Sequence, residues 1–240
     1  MEELLQELRL DGINESLNFR LTEVTENNLS HQDFLRLILE DESLYRKNRK
    51  SIRLKKRARF NDQSLLEDFE ADVTRGVTKT LIQRLSSLNF IEKKENLIFT
   101  GGTGAGKSYL AQAIGHRACI EGIEVFYVSV NKLFKEIELN EVAGKYLSFL
   151  QRIKKAQVLI LDDFGLRNYS HDEASKLYDI LEDRYHKGST IVTSQVKPKG
   201  WKTLFEDEVI AEAIVDRICS CALEINLKGE SFRKKHLPKK

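Results

Sequence analysis

One octapeptide constrains this chain more than any other stretch. Residues 101–108 read GGTGAGKS and follow directly on the apolar run NLIFT at 96–100. A short β-type run, a glycine-rich turn and a helical pattern opening at Lys107 form the context in which G-x-x-x-x-G-K-[ST] works as a phosphate-binding loop. Gly101, Gly102, Gly104 and Gly106 permit positive φ and bring backbone N–H groups against phosphate oxygens, while the following helix N-terminus adds a favourable field. Lys107 is expected to reach the β and γ phosphates, and the Ser108 hydroxyl to ligate Mg²⁺. Thr103, Ala105 and Tyr109 lie in or beside the same cradle and join the expected nucleotide-binding set. A chain with this feature is expected to bind a nucleoside triphosphate.

The rest of the 240 residues alternates β-rich and helical runs behind a helical front segment. Residues 1–66 carry apolar residues at helical spacing, with Asn27, Asn28 and Ser30 supplying a break and an N-cap. Residues 61–95 are mixed, with a helical pattern over 73–88. After the loop come a helix over 108–121 stopped by Gly122, a strand over 124–130 and a helical stretch over 131–151 interrupted near Gly144. A buried strand at 157–161 then ends in Asp162 and Asp163. A helix over 171–186, a strand over 190–193, a loop anchored by Trp201, a helix over 206–218 and a strand over 222–226 complete the pattern. Alternation of this kind implies an α/β domain, a parallel sheet with helices on both faces. It occupies 67–240 and is preceded by a small all-helical domain at 1–66.

Hydrophobic residues make up 41% of the chain, enough for a substantial core. Charged residues make up 32%, yet the net charge is only +2, so any basic surface must be local. It is local: residues 46–59 (RKNRKSIRLKKRAR) hold nine Lys or Arg in fourteen positions and no acid. Ile52, Leu54 and Ala58 give that segment only a thin apolar stripe. Arg46, Lys47, Arg49, Lys50, Arg53, Lys55, Lys56, Arg57 and Arg59 are therefore candidate phosphate contacts for DNA; the alternative is a solvated basic helix. Cys119, Cys219 and Cys221 have neither metal-ligand nor disulfide spacing and read as buried thiols in a reducing compartment. The acidic start MEELLQEL and the absence of an apolar run near ~20 residues imply a cytoplasmic protein without a membrane span.

The acids that close VLILDDFG are the expected complement of the phosphate loop, because a strand's carboxyl end delivers them beside the phosphates. Asp162 is expected to hold Mg²⁺ with Ser108, and Asp163 to orient or deprotonate the attacking water. In TIVTSQ, Thr193, Ser194 or Gln195 offers a hydroxyl or amide to the γ phosphate or the water. Arg217, in EAIVDRI, either pairs with Asp216 or Glu212 or serves a neighbouring subunit's nucleotide. Arg233, in GESFRKK, reaches a phosphate or belongs to a basic tail. The five histidines show no metal-ligand spacing.

The order GGTGAGKS, VLILDDFG, TIVTSQ, EAIVDRI and GESFRKK resembles the IstB/DnaC-like ATPases of the AAA+ superfamily, above all the IstB proteins encoded with the transposase in insertion sequences. The likeness extends over nearly the whole chain, since FLRLILEDESLYRKNRKSIRLKKRARF also resembles that family's N-terminal domain. It implies a Walker A motif at 101–108, Walker B acids at Asp162 and Asp163, sensor 1 near Ser194, an arginine finger at Arg217 and sensor 2 at Arg233. Many AAA+ members place Glu where this chain has Asp163. Aspartate is one methylene shorter, so the water must sit closer or hydrolysis is slow.

The resemblance implies an AAA+ ATPase with ATP and Mg²⁺ as cofactors. It would assemble as a homo-oligomer on duplex DNA with low sequence specificity, select or remodel that DNA and stimulate the partner transposase of the same element. A DnaC-like helicase loader shares the same core. A small-molecule P-loop kinase would need an acceptor pocket that nothing in the basic front segment suggests, and a relic P-loop is disfavoured by intact Lys107, Ser108 and Asp162.

Overall fold

The periodic front segment forms α1 (Glu2–Glu7), α2 (Asp11–Asn27) and α3 (His31–Ala58) in the computed structural model, which describes residues 1–69, 71–229 and 231. Asn28, in the left-handed region, closes α2. The Ser30 hydroxyl accepts the Asp33 N–H at 3.1 Å and caps α3 as expected. The helices meet at a buried carboxylate: Glu42 Oε2 accepts the N–H groups of Gly12 and Ile13 at 2.8 and 3.1 Å, and Oε1 accepts from Arg46 Nε at 2.6 Å. Those N–H groups open α2 and have no partner within it, so an anion there satisfies two orphan donors and complements the helix dipole.

The chain divides into two units. One takes residues 1–53 with Ile120–Gly122; the other takes Leu54–Cys119 and the described residues from Ile123 on. This division falls earlier than the expected boundary at 66. The reason is packing: Leu54, Ala58 and Leu66 are buried in the core of the second unit.

The second unit continues with α4 (Lys79–Ser86) and α5 (Asn89–Glu92). The helix expected over 73–88 is broken, because a single 3-10 turn at Val73–Arg75 ends at Gly76 in the left-handed region and α4 restarts behind a Thr78 cap. Five apolar runs then become β1 (Asn96–Gly101), β2 (Val125–Ser129), β3 (Val158–Phe164), β4 (Ser189–Ser194) and β5 (Ala222–Leu227). They form one parallel sheet in the order β2-β3-β4-β1-β5. The helices between them are α6 (Lys107–Ile120), α7 (Val130–Val142), α8 (Tyr146–Lys155), α9 (His171–Arg184) and α10 (Glu208–Cys219).

Successive strand residues point to opposite faces. Leu97, Phe99, Tyr127 and Ile160 pack with α6, whereas Ile98, Phe126, Leu159 and Leu161 pack with α7, α8, α9 and α10. Both faces are covered, which is why the central strands read as unbroken apolar runs. Trp201 is fully buried and donates its indole N–H to Val196 O at 2.8 Å, fixing the loop before α10. Burial pushes the Cys119 thiol up to about 12 and that of Cys219 up to about 11. Cys219 is only half-buried and Cys221 is exposed, which corrects the expectation that all three thiols are buried. Among the described residues no helix is long and apolar enough to cross a membrane.

Candidate nucleotide site

Parallel strands bring the residues that follow β1, β3 and β4 to one edge of the sheet. There the glycine-rich loop leaves β1 and Lys107 opens α6. Lys107 is 7% exposed, and its ammonium donates to Gly101 O at 2.9 Å and Gly102 O at 2.8 Å. The cation thus lies inside the loop's own curve. Gly104 has φ +75°, and a side chain there would also collide with Ser231, a residue the sequence had not singled out. Thr103 donates its hydroxyl to Gln195 Oε1 at 3.0 Å, joining the loop to the residue just beyond β4.

Asp162 is 4% exposed and surrounded by hydroxyl donors. Ser108 Oγ donates to Oδ1 at 2.8 Å, Thr193 Oγ1 donates to the same oxygen, and the Tyr127 hydroxyl donates to Oδ2 at 2.7 Å. Three charge-assisted bonds replace the water that a buried carboxylate loses. Burial is the largest cause pushing the Tyr127 phenol far above its ordinary value, and the adjacent carboxylate, by its charge and by the bond it accepts, adds to it.

The register between β3 and β4 slips between Leu161 and Phe164, and Asp163 takes left-handed φ +56°. Aspartate tolerates that region better than most residues, and such bulges re-aim side chains beside functional sites. Asp163 is half-buried and donates its backbone N–H to Thr193 Oγ1 at 3.0 Å. The hydroxyl next to both acids therefore belongs to Thr193. Ser194 instead donates to Phe164 O at 2.7 Å and accepts from the indole of Trp201, facing the core rather than the loop.

Tyr109 reaches away from the phosphate loop. Its hydroxyl donates to Leu65 O at 3.1 Å and its ring centroid lies 6.0 Å from that of Phe69. Arg217 is not brought to this edge. Its carbonyl accepts from Asn96 at the start of β1, the opposite end of the sheet. Its guanidinium pairs with Glu182 and Asp216 and lies 4.5 Å over the Tyr185 ring. Arg233 lies outside the described residues.

Several of the basic residues already have acidic partners. Arg46 pairs with Glu42, Arg49 with Asp11, Arg57 with Glu124 and Arg59 with Glu136. Lys47, Lys50, Arg53 and Lys56 are exposed and Lys55 is half-buried. Among the described residues no group of three or more His, Cys, Asp or Glu is arranged to hold a metal by itself. A hydroxyl and a carboxylate 2.8 Å apart do provide hard oxygen ligands of the kind Mg²⁺ takes beside a nucleotide's own phosphates.

Sequence reasoning missed Tyr127, Thr193 in preference to Ser194, and Ser231. A tyrosine inside EVFYVSV carries one faint signal, a polar tip in a run where valine and phenylalanine otherwise suffice.

This sheet order, with a P-loop after its penultimate strand and a paired-acid strand two places away, is that of the AAA+ P-loop fold. Solved structures share the fold. The crystal structure of the DnaC helicase loader matches with a TM-score of 0.57 and 20% identity, over 69% of this chain and 97% of that one. DnaI matches with a TM-score of 0.59 and 25% identity, over 69% and 92%. AMPPCP-bound DnaA from Aquifex aeolicus matches with a TM-score of 0.58 and 21% identity, over 70% and 51%.

The family model described as IstB-like ATP binding protein matches residues 3–239, and the chain belongs to that family. A Sinorhizobium fredii protein named as an insertion sequence ATP-binding protein is 34% identical over 230 residues, 96% of this chain and 94% of its own length. A Mycobacterium tuberculosis protein named as an ATP-binding protein in an insertion sequence is 31% identical over 240 aligned residues, 98% and 94% of the two chains.

Proposed function

We propose that this protein is an ATP-hydrolysing regulator of DNA transposition, assembling on duplex DNA in its ATP state and presenting that DNA to the transposase of the same element. One observation carries the reading. Lys107 is held by the glycine-rich loop, and Ser108 and Thr193 are both bonded to Asp162, in a chain whose relatives along nearly their whole length are named for insertion sequences. The helicase-loader alternative rests on likeness of fold.

The chain's own residues divide the work. The loop's N–H groups and Lys107 bind and orient the phosphates; Ser108 and Asp162 hold the metal side; Asp163, aimed by the bulge and by Thr193, orients the attacking water. A bound Mg²⁺ supplies charge neutralisation at the phosphates. Arg217, at the far end of the sheet, acts on the nucleotide of a neighbouring subunit, which makes hydrolysis depend on assembly. The exposed Lys47, Lys50, Arg53 and Lys56 contact DNA phosphates, and such contacts position DNA without reading its bases.

The test is ATP hydrolysis without DNA, with single-stranded DNA and with random-sequence duplex, each at two salt concentrations. Stimulation by duplex that disappears at high salt is expected. A preference for single strands overturns the transposition reading in favour of a loader, and indifference to all DNA overturns both.

A further inference from the structure

The residues that follow α3 are fastened to the nucleotide site at several points. Phe60 packs tilted against His116 of α6 at 4.1 Å between centroids, and it fits because residue 115 is glycine: a Cβ there would stand 2.7 Å from the Phe60 ring. The N–H groups of Asn61 and Asp62 both donate to Gln112 Oε1, at 2.8 and 3.2 Å. Gln112 is 2% exposed, and its own amide donates to Ser108 O at 3.3 Å. His116 Nε2 lies 2.9 Å from Asp62 O.

A second route runs along the α6 face of the sheet, from β2 to β3. Asn61 Nδ2 donates to the Tyr127 hydroxyl at 2.9 Å, and that hydroxyl donates to Asp162 Oδ2 at 2.7 Å. Two chains of hydrogen bonds thus join residues 61–62 to the two residues expected to hold the metal, Ser108 through Gln112 and Asp162 through Tyr127.

We infer that Tyr127 is a positioning residue for Asp162, and that through Asn61 it reports the state of the metal side of the site to residues 60–62. The inference rests on the nucleotide site proposed above. Asp162 Oδ1 is shared by Ser108 and Thr193, and the Ser108 hydroxyl can keep its proton on the carboxylate while its oxygen lone pairs ligate the metal. The Tyr127 bond to the other oxygen then keeps the carboxylate plane fixed. Packing alone does not call for this hydroxyl, since a phenylalanine ring fills the same place between β2 and α6. The connector itself buries Ser64 and Leu66 and half-buries Phe60 and Phe69, so its ordering also depends on the bonds to Gln112, Tyr127, His116 and Tyr109.

The test measures the affinity of the protein for a fluorescent ATP analogue in Mg²⁺ and in EDTA, together with hydrogen exchange at the Asn61 and Asp62 amides. Wild-type protein is expected to bind more tightly in Mg²⁺ and to change its exchange at these amides when Mg²⁺ and nucleotide are added together. Tyr127→Phe is expected to lose about tenfold in affinity in Mg²⁺, the scale of one hydrogen bond to a charged group, with the EDTA value nearly unchanged. Its amides at 61–62 should no longer respond to saturating nucleotide. Asn61→Ala, which leaves Tyr127 and Asp162 in place, should keep the Mg²⁺ preference and lose the exchange response.

An unaltered Mg²⁺ preference in Tyr127→Phe, or an equal loss in Mg²⁺ and EDTA, overturns the positioning role. An exchange response retained in Asn61→Ala overturns the reporting role. Wild-type protein that binds no nucleotide overturns the site itself, a result distinct from either.

Discussion

Thr193 Oγ1 donates to Asp162 Oδ1, tying the end of β4 to the end of β3 at the point where their register slips. The same hydroxyl accepts the Asp163 N–H, so one side chain holds both acids of the pair.

Thr193→Val keeps the shape of the side chain and removes both bonds. Hydrolysis is expected to fall by about 10- to 100-fold, as when a partner that orients a metal-side carboxylate is lost, while nucleotide affinity changes little. Ser194→Ala, one residue on, should leave hydrolysis near the wild-type rate and cost about 1 kcal/mol of stability, because Phe164 O, the Val196 N–H and the Trp201 indole lose a partner while the indole keeps Val196 O. Steady-state hydrolysis and chemical unfolding of the two variants separate these outcomes. Equal loss of hydrolysis in both would mean that the hydroxyl chosen from the geometry is the wrong one.

Arg217 is expected to matter to a site it does not touch within its own chain. Arg217→Ala should bind nucleotide normally and lose hydrolysis on the order of 10³-fold, the scale of an arginine supplied to a transferring phosphoryl group. Lys107→Ala should fail at its own site while still offering Arg217 to a neighbour. Mixing the two inactive variants should therefore restore part of the activity. No recovery on mixing, with both variants folded, would place Arg217 in a structural role beside Glu182 and Tyr185.

Much of this arrangement is legible in the sequence because it is local. The loop, its strand and its helix are contiguous, and the strand ending in Asp162 and Asp163 announces itself by composition. Turn glycines 122 and 144 mark element ends and do have positive φ. What stays hidden depends on register. Thr193 and Ser194 are adjacent, and the bulge after Leu161 decides which of them meets Asp162. Tyr127 pairs with Ile160, which shares a face with Asp162, so its hydroxyl reaches the carboxylate only once β2 and β3 are aligned. The split of the 73–88 helix turned on Gly76 and Thr78, whose local signals outweighed the apolar period around them.

The basic segment also proved less uniform than its sequence. Arg46, Arg49, Arg57 and Arg59 have acidic partners, which leaves Lys47, Lys50, Arg53 and Lys56 as the exposed cations best placed for phosphate. Replacing these four by alanine should weaken duplex binding equally for all sequences. The slope of log affinity against log salt should become shallower by roughly 0.9 for each phosphate that is no longer neutralised. Binding titrations at four salt concentrations give that slope. An unchanged slope would move the DNA-binding surface elsewhere on the protein.

Glu42 gives the helical unit a dependence on pH whose sign is fixed by its partners. Burial by itself would raise the Glu42 carboxyl, but the Arg46 guanidinium and the N–H groups of Ile13 and Gly12 outweigh it and hold the group below its ordinary 4.5. The charged form is thus favoured by folding. Its contribution is complete above the unfolded value and is lost as pH falls through the lower folded one. Glu42→Gln keeps an acceptor for the two N–H groups yet removes the charge that Arg46 and the start of α2 share. The variant is expected to be about 1 to 2 kcal/mol less stable at neutral pH. That gap should begin to close as the solution is acidified below 4.5, because wild-type protein then loses the same charge. Hydrogen exchange at Gly12 and Ile13, followed in both proteins from neutral pH down through that value with correction for intrinsic rates, reads the difference where it arises. A gap that stays constant throughout would mean that Glu42 acts through shape alone.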